Sequence, residues 1–388
     1  MTIKMIYSSR VTRHPSLNSE VKMSDYILGV DVGGSRLRLI LSNKKAENIA
    51  DVIIDLEEGI TPEKLNELSI KETEKLLKAH NLKPSDVIGV TMGSAGVPDQ
   101  ENKVLTESPN VPKSMKGLIP VVPALAKAFG WKKMYICNDC SAAAECAKRF
   151  GHNRQDIKLG DPFASEPYAF RFANRPGDDT KTDYSVVVYW TISSGTNIGI
   201  KIGDLLFNGE FGTIPEFGHH YHVDKDPFGN ELKCGDGATG HIEAILSGGG
   251  IAKMIRNGIK SGAISKGALY EKTVNEPDDK KLPVIMYDNL EDENAKKIAD
   301  FVSLTLARVL GLIIVSFGPG KIEIGGGVMK NFRKVLIPAV KLLDDNTNNS
   351  FYLQRGKTSL PDICVAKDYG TDYVWRGAIA GFLSEYKE

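Results

Sequence analysis

The sequence has no charge imbalance and no long apolar run, and each absence argues against a class of protein. Its 49 Lys and Arg residues are matched by 49 Asp and Glu residues, so a nucleic-acid binder that works through bulk positive charge is not expected. No apolar run approaches the roughly 20 residues that cross a bilayer; the closest is Val309–Phe317. We therefore predict a protein without a nucleic-acid or membrane partner.

Cysteine is scarce, and two common motifs are missing. Five cysteines in 388 residues favour a reduced compartment over a disulfide framework, so we predict a cytoplasmic protein. The pair Cys137 and Cys140 has no second C-x-x-C to complete a metal site, and we interpret it as incidental. The chain also lacks a G-x-x-x-x-G-K-[ST] motif, which argues against a P-loop nucleotidase, and it lacks a repeat of solenoid period.

The chain is long for one hydrophobic core at 388 residues, and two domains are expected. Apolar strand-like segments alternate with helical ones, which predicts an α/β fold with layered sheets. The predicted strands are Tyr26–Val32, Arg36–Leu41, Val52–Leu56, Val87–Met92, Lys133–Cys137, Val186–Trp190 and Lys321–Ile324. The predicted helices occupy about residues 61–80, 141–150, 294–316 and 372–385.

We place an N-terminal α/β domain at residues 26–137 plus 370–388 and a larger C-terminal α/β domain at residues 138–369. Residues 151–183 are polar and contain three prolines, which indicates an insertion. Residues 1–25 are basic, and three interpretations of them stay open: an organelle-targeting segment, a disordered tail, or a chain that starts at Met23.

Three glycine-rich turns each follow a predicted strand. Glycine lets backbone N–H groups approach phosphate oxygens without a Cβ in the way, so these turns are candidate phosphate sites. They comprise Asp31, Gly33, Gly34 and Ser35; Gly195, Thr196 and Asn197; and Gly325, Gly326 and Gly327. A purely turn-closing role stays open for each, and the Ser35 and Thr196 hydroxyls could serve either purpose.

Two aspartates at strand ends are candidates for phosphoryl-transfer chemistry. Asp31 could hold Mg²⁺ through a water molecule, because Mg²⁺ keeps much of its hydration shell, or it could only cap the glycine turn. Asp139, next to Asn138, could take the proton from an attacking alcohol as a general base. It could also be the N-cap of the helix that follows.

A polar stretch between Glu216 and Glu243 gathers two carboxylates, several histidines and one thiol among glycines. Such a stretch can bring polar groups together around a hydroxyl-rich ligand or a metal.

With these motifs the sequence resembles the ROK family of sugar kinases (repressor, open reading frame, kinase) in the actin/Hsp70/hexokinase superfamily, over about residues 26–384 apart from the insertion. Asp31–Ser35 resembles the family's Asp-x-Gly-Gly-Thr turn, with Ser for Thr, and Asn138-Asp139 resembles its Asn-Asp pair. Gly195–Gly199 is similar to Gly-Thr-Gly-x-Gly, with Asn197 at the middle glycine. The resemblance implies a two-domain actin-like ATPase (ribonuclease H-like) fold with the active site in the interdomain cleft.

The resemblance also implies the ligand-binding residues. The sugar would be bound by Gly96, Asn110, Asn138, Asp139, Glu216, His219 and Glu243. The three zinc cysteines of the family align with Cys234, Asp236 and His241, which together with His219 could form a tetrahedral zinc site. A metal-free loop held by hydrogen bonds is the alternative, and both stay open.

The function that the resemblance implies is an ATP- and Mg²⁺-dependent hexose kinase of carbohydrate metabolism, glucokinase foremost, acting as a homodimer. Kinases for fructose, mannose, allose or an N-acetylhexosamine are alternatives, as is a non-catalytic sugar-binding protein. A sugar-responsive repressor is not expected, because such members carry a helix-turn-helix domain and only 25 residues precede Tyr26.

Overall fold

The computed structural model describes residues 26–33, 35–108, 111–151, 184–210, 215–347 and 361–387. Gly34 and Asn110, the 1–25 segment and nearly all of the predicted insertion lie outside these ranges. The chain divides into two compact units. The first comprises the described residues of 1–149, 208–213 and 372–388, and the second those of 150–207 and 214–371.

Each predicted strand is present, and the structure adds further short ones. The strands are β1 (Tyr26–Val32), β2 (Arg36–Asn43), β3 (Asn48–Asp55), β4 (Val87–Ser94), β5 (Val97–Asp99), β6 (Val104–Thr106), β7 (Lys133–Asn138), β8 (Val186–Ile192), β9 (Thr196–Ile202), β10 (Leu205–Leu206), β11 (Lys321–Gly325) and β12 (Asp362–Val365).

Each predicted helix is present as well, among others that the sequence patterns did not indicate. The α-helices are α1 (Pro62–Ala79), α2 (Val121–Phe129), α3 (Asp139–Arg149), α4 (Glu243–Leu246), α5 (Gly248–Lys260), α6 (Ala268–Thr273), α7 (Leu282–Tyr287), α8 (Glu293–Phe317), α9 (Phe332–Thr347) and α10 (Tyr373–Tyr386). Single 3₁₀ turns occur at Pro84–Asp86, Lys113–Met115, Phe217–His219, Asp279–Lys281, Gly327–Asn331 and Lys367–Gly370.

The first unit is built on a five-stranded sheet in the order β3-β2-β1-β4-β7. Strands β1, β4 and β7 are parallel, so their carboxyl ends meet at one edge of the sheet. Side chains alternate between the two faces of a strand: Leu28 and Val30 of β1 belong to the hydrophobic core with α1 and α2, whereas Gly29 approaches Ile379 of α10. By the same alternation Asp31 lies on the face of β1 that α10 covers.

The second unit has a five-stranded sheet in the order β10-β9-β8-β11-β12. Strands β8, β11 and β12 are parallel, while β8, β9 and β10 form an antiparallel meander. Gly325 pairs with Thr191 in the β8–β11 register. The two glycine-rich turns that follow β8 and β11 therefore lie side by side at one edge of this sheet.

Helix α8 is the longest of the described helices in the second unit and belongs to its hydrophobic core. Its last residues are the apolar run Val309–Phe317 noted in the sequence. By length and composition α8 could also cross a bilayer, a test that core helices pass too, and 61% of its most apolar stretch is buried.

The boundary between the units falls after Arg149, whereas the sequence suggested residue 137. The reason is that α3 packs closely on α10: a Cβ at Gly377 would fall on the Ala142 backbone. Because α10 belongs to the first unit, α3 joins it.

Candidate active site

The carboxylate of Asp31 stands near the end of β1, where the chain turns into β2. Gly33 closes this turn by donating its N–H to the Arg36 carbonyl at 2.8 Å. The antiparallel register then places Asp31 opposite Arg38.

Arg38 connects three elements of the first unit. Its Nε donates to Asp51 at 2.8 Å, and its Nη1 donates to Asp372 at 2.9 Å. Asp372 precedes α10 and also accepts from Trp375 Nε1 at 2.8 Å. Arg38 thereby ties β2 to β3 and to the start of α10.

Negative charge is concentrated around Asp31. Burial raises its pKa to about 6; Arg38 opposes that shift, and the nearby carboxylates of Asp139 and Asp372 add to it. A partly buried carboxylate with two like-charged neighbours is suited to a cation. The residues present therefore fit the predicted Mg²⁺.

Asp139 is the first residue of α3, immediately after β7. Its Oδ1 and that of Asn138 both accept from the Cys140 N–H at 2.9 Å. Burial raises the Asp139 pKa, although hydrogen bonds at Cys140 and at its own backbone oppose the shift. Asp139 is thus the first helical residue, and the N-cap contact is made by Asn138, whose side chain accepts from the N–H two residues on. The raised pKa of Asp139 suits a general base.

Asn138 joins the ends of two neighbouring strands. Its Nδ2 donates to the Gly96 carbonyl at 3.1 Å. Gly96 has φ +137°, and a Cβ there would lie 2.7 Å from the Thr106 carbonyl oxygen, so only glycine fits. Asn110, the other sugar-side residue predicted for this region, lies outside the described residues.

In the second unit, the Thr196 hydroxyl is already engaged. It donates to the Thr191 carbonyl and accepts from Trp190 Nε1, both at 2.8 Å. These contacts support the turn-stabilising interpretation. The phosphate interpretation would rest on backbone N–H groups, and that of Thr196 donates to Glu243 Oε2 at 3.1 Å.

The three glycines of the turn after β11 differ in their surroundings: two are tightly packed and one is open. A Cβ at Gly325 would collide with the Tyr189 hydroxyl, and one at Gly326, which has φ +99°, would collide with the Ile192 carbonyl. A Cβ at Gly327 would meet nothing within 4 Å. The first two glycines are thus required by the sheet, and the third lies in open space.

Asn197 positions Glu216. Its Nδ2 donates to Glu216 Oε2 at 2.8 Å, and its Oδ1 accepts from the Phe217 N–H at 2.8 Å. Gly218 follows, and a Cβ there would fall on the Thr196 carbonyl. The asparagine that departs from the family motif therefore has a role of its own, which is to hold the Glu-x-Gly-His segment against β9.

Glu243 connects the same turn to the polar loop. One carboxylate oxygen accepts from Thr196, and the other accepts from the Cys234 thiol at 3.5 Å. Because Cys234 lies 3.6 Å from His219 Nδ1, the predicted sugar ligands His219 and Glu243 border the same thiol.

The four predicted zinc ligands come together in the second unit. One ligand atom from each of His219, Cys234, Asp236 and His241 lies within 4.8 Å of all the others. Asp236 Oδ2 is 3.2 Å from His219 Nδ1 and 3.1 Å from His241 Nδ1. Burial raises the pKa of Cys234 to about 11. The pKa of Asp236 is lowered, because hydrogen bonds from Ala238 and Cys234 and the two imidazoles outweigh its burial.

This four-ligand cluster has the dimensions of a tetrahedral metal site. With metal–ligand bonds of about 2.0–2.3 Å, neighbouring ligand atoms of a tetrahedron lie about 3.3–3.8 Å apart, close to the distances found. His241 Nδ1 is buried, and its 3.1 Å contact with Asp236 Oδ2 lacks the geometry of a hydrogen bond, so a metal ion bound by both atoms would supply the partner that this nitrogen needs. The residues present therefore fit zinc.

Two residues that influence Asp31, Arg38 and Asp372, were not predicted from the sequence. The first had a signal: a hairpin whose turn is centred between Gly34 and Ser35 pairs position 31 with position 38. The second had none, because α10 reaches Arg38 across 334 residues of chain.

Curated relatives include both enzymes and regulators. The chain is 27% identical over 308 residues to the glucokinase of Thermotoga maritima, covering 78% of this chain and 82% of the relative. It is also 27% identical over 191 residues to the N-acetylglucosamine repressor of Escherichia coli O157:H7, covering 49% of this chain and 41% of the relative.

Solved structures share the fold. The ROK hexokinase from Thermus thermophilus matches with a TM-score of 0.66 at 18% identity, covering 94% of this chain and all of that one. A ROK family glucokinase from Streptomyces griseus, in complex with glucose and AMPPNP, matches with a TM-score of 0.58 at 20% identity, covering 91% and 98%. These matches confirm the predicted two-domain actin-like α/β fold. The pattern of the ROK family itself matches residues 27–159 and 176–379, and the chain therefore belongs to the ROK family.

Proposed function

We propose that this protein is an ATP-dependent hexose kinase that transfers the γ-phosphoryl group to the sugar 6-hydroxyl. The observation that carries the proposal is the Asp139 carboxylate, which is half-buried at the junction of β7 and α3 and has a raised pKa. A general base works best when its pKa is near the working pH. In this role Asp139 accepts the hydroxyl proton, and its neighbour Asn138 orients the sugar.

The second unit supplies further sugar contacts in this proposal. The Glu216 and Glu243 carboxylates accept hydrogen bonds from sugar hydroxyls, and Asn197 holds Glu216 in place. The two ring nitrogens of His219 have different contacts in this proposal. Nδ1 faces Cys234 and Asp236, which leaves Nε2 to donate to a hydroxyl.

Zinc and Mg²⁺ are part of the proposal. Zinc would be held by His219, Cys234, Asp236 and His241, and it would fix the loop between Glu216 and Glu243. Asp31 would hold Mg²⁺, which neutralises charge on the transferred phosphate. The nucleotide phosphates would be bound by backbone N–H groups of the turns after β1, β8 and β11.

Glucose is the proposed substrate. The support is the 27% identity to the Thermotoga maritima glucokinase over most of both chains. The test is a coupled assay of ADP release with Mg-ATP and a panel of glucose, fructose, mannose, allose and N-acetylhexosamines. Turnover that is highest with glucose is expected. A folded protein that releases ADP with none of them would contradict the kinase assignment.

The base assignment has its own test, the substitution Asp139→Asn. It should lower kcat by about 10²–10⁴-fold while sugar affinity, measured by calorimetry, changes little. Asp204→Asn, an exposed aspartate of the second unit, serves as the matched control. An undiminished kcat in Asp139→Asn would remove Asp139 from the mechanism and require another general base.

The homodimer and the cytoplasmic location rest on the sequence alone, and we keep them as proposals. Sedimentation velocity would give about twice the chain mass of 42.4 kDa for a dimer. Fractionation of the native host tests the location.

A further inference from the structure

A cavity of about 730 Å³ lies in the second unit, outside the residues assigned to the reaction. Helix α5 lines one side, and residues 230–233 of the polar loop line another. The polar side chains that matter for its chemistry are Lys233, Lys253, Lys260, Asn230, Asn257 and Ser261. Among the described residues that line the cavity, Glu231 is the single carboxylate.

The α5 wall carries two ammonium groups in a row. Lys253, Asn257 and Lys260 are spaced i, i+4 and i+7, which places them on one face of the helix. The Cα atoms of the two lysines are therefore about 10.5 Å apart along the helix axis. Both side chains are exposed at the cavity mouth, and Asn257 between them is half-buried.

The positive charge of the cavity is poorly compensated. Glu231 lies 3.6 Å from Lys233, and both side chains are about two-thirds exposed, so this pair contributes little. Lys253 donates to the Lys233 carbonyl at 3.3 Å, and because a carbonyl is neutral, this bond leaves the charge of Lys253 uncompensated. No carboxylate of the described residues pairs with Lys260. Three ammonium groups thus face one carboxylate, a balance that suits an anion.

The remaining polar groups suit hydroxyls. Asn230 donates its Nδ2 to Asp226 at 3.0 Å, and this contact fixes the side chain and leaves Oδ1 as an acceptor. Ser261 donates to the Gly258 carbonyl at 3.2 Å, so its oxygen can still accept. These two acceptors, with the Asn257 amide, can bind hydroxyl groups beside the lysines.

We propose that this cavity binds a phosphorylated sugar, with the phosphate on Lys253 and Lys260 and the hydroxyls on Asn230, Asn257 and Ser261. The ligand would contact residues 230–233. The residue that follows them, Cys234, belongs to the four-ligand cluster and lies with Lys233 in a hairpin formed with residues 238–239. Cys234 and Lys233 are tied into that hairpin by the Cys234 N–H to Ala238 bond at 2.8 Å and by the Lys233–Thr239 bridge.

The test measures binding without turnover. The full chain is saturated with glucose and ADP to fill the proposed active site, and hexose 6-phosphate is titrated while its ³¹P signal is followed by NMR. Saturable binding is expected in the wild type, weakened about tenfold or more in Lys253→Gln/Lys260→Gln. The matched control Lys280→Gln/Lys341→Gln removes two exposed lysines of the same unit and should bind like the wild type.

Two further arms identify the ligand class. Inorganic phosphate should bind more weakly than hexose 6-phosphate, and Asn257→Ala/Ser261→Ala should weaken only the sugar phosphate. Equal affinity for both anions would overturn the assignment to a phosphorylated sugar. Wild-type binding that Lys253→Gln/Lys260→Gln leaves unchanged, or no saturable binding at all, would overturn the site. Because no turnover is measured, these results are independent of whether the protein phosphorylates hexoses.

Discussion

At the scale of single residues, the carboxylate of Asp31, the proposed Mg²⁺ ligand, carries a cost in stability. The folded state raises its pKa from 3.8 to about 6, chiefly through burial. The folded state therefore holds the proton more tightly than the unfolded chain does. It follows that the stability contributed by Asp31 falls as the pH rises from about 4 to about 6 and stays low above that.

Replacing Asp31 by Asn should stabilise the protein at neutral pH. Asparagine keeps the shape and needs no charge in the partly buried site, so the free energy of unfolding at pH 7.5 should rise by about 3 kcal/mol. The gain should shrink as the pH falls towards 4, because the carboxyl of the folded protein is then protonated and that of the unfolded chain, with a pKa of 3.8, begins to be protonated as well. Urea unfolding at pH 7.5 and pH 4.5 measures it, with Asp204→Asn as control. A gain that is the same at both pH values would contradict burial of the charged carboxylate as its cause. Whatever the change in stability, the Asp31→Asn variant should lose hexose phosphorylation.

At the scale of elements, the contact of α3 with α10 matters most, because α3 begins with Asp139. Two glycines of α10, four residues apart, permit close approach: Gly377 faces α3, and Gly381 faces Tyr135 of β7, the strand that precedes α3. A Cβ at Gly377 would fall on Ala142, and one at Gly381 would fall on the Tyr135 hydroxyl. The position of Asp139 therefore depends on residues near the other end of the chain.

The substitution Gly377→Ala should destabilise the protein by about 1–3 kcal/mol, because the added methyl group has to push the two helices apart. Gly311→Ala in α8 is the matched control, since its Cβ would meet only the Leu343 side chain at 3.6 Å. It should be stabilising by about 0.5–1 kcal/mol, as alanine is the better helix former. Thermal unfolding of the two variants tests the contrast. Equal effects of the two substitutions would mean that α3 and α10 are not closely packed.

At the scale of the whole molecule, a bound metal would link the loop between Glu216 and Glu243 to the stability of the folded chain. A ligand that binds only the folded state stabilises it by about 2.7 kcal/mol at one hundred times its Kd. The cluster supplies a thiolate, a carboxylate and two imidazoles, all competent zinc ligands.

We expect one zinc ion per chain by elemental analysis and a lower Tm after treatment with a chelator. His241→Ala should lose the zinc and become insensitive to the chelator. His80→Ala, at an exposed position in the other unit, should behave like the wild type. A wild-type protein free of zinc, with a Tm that chelators do not change, would leave the metal-free loop as the correct interpretation.

The sequence by itself determined the local structure and the chemistry of single positions. Strand β1, the hairpin into β2 and helix α1 follow from apolar patterning and from the Thr61-Pro62 start, and the structure has them where they were predicted. The ligand types of the four-ligand cluster also follow from its motif. These features are visible in the sequence because each depends on neighbours a few residues away.

Only the tertiary structure decided the rest. Helix α5 begins with three glycines, which local propensity disfavours, yet Gly250 is needed there because a Cβ would lie 2.5 Å from the Ala244 carbonyl oxygen. Asn197 looked like a departure from its motif until Glu216 proved to be its partner. Arg38 meets Asp372, and α3 joins the first unit, through contacts between residues far apart in the chain. Such contacts depend on packing between distant segments, which no local pattern records.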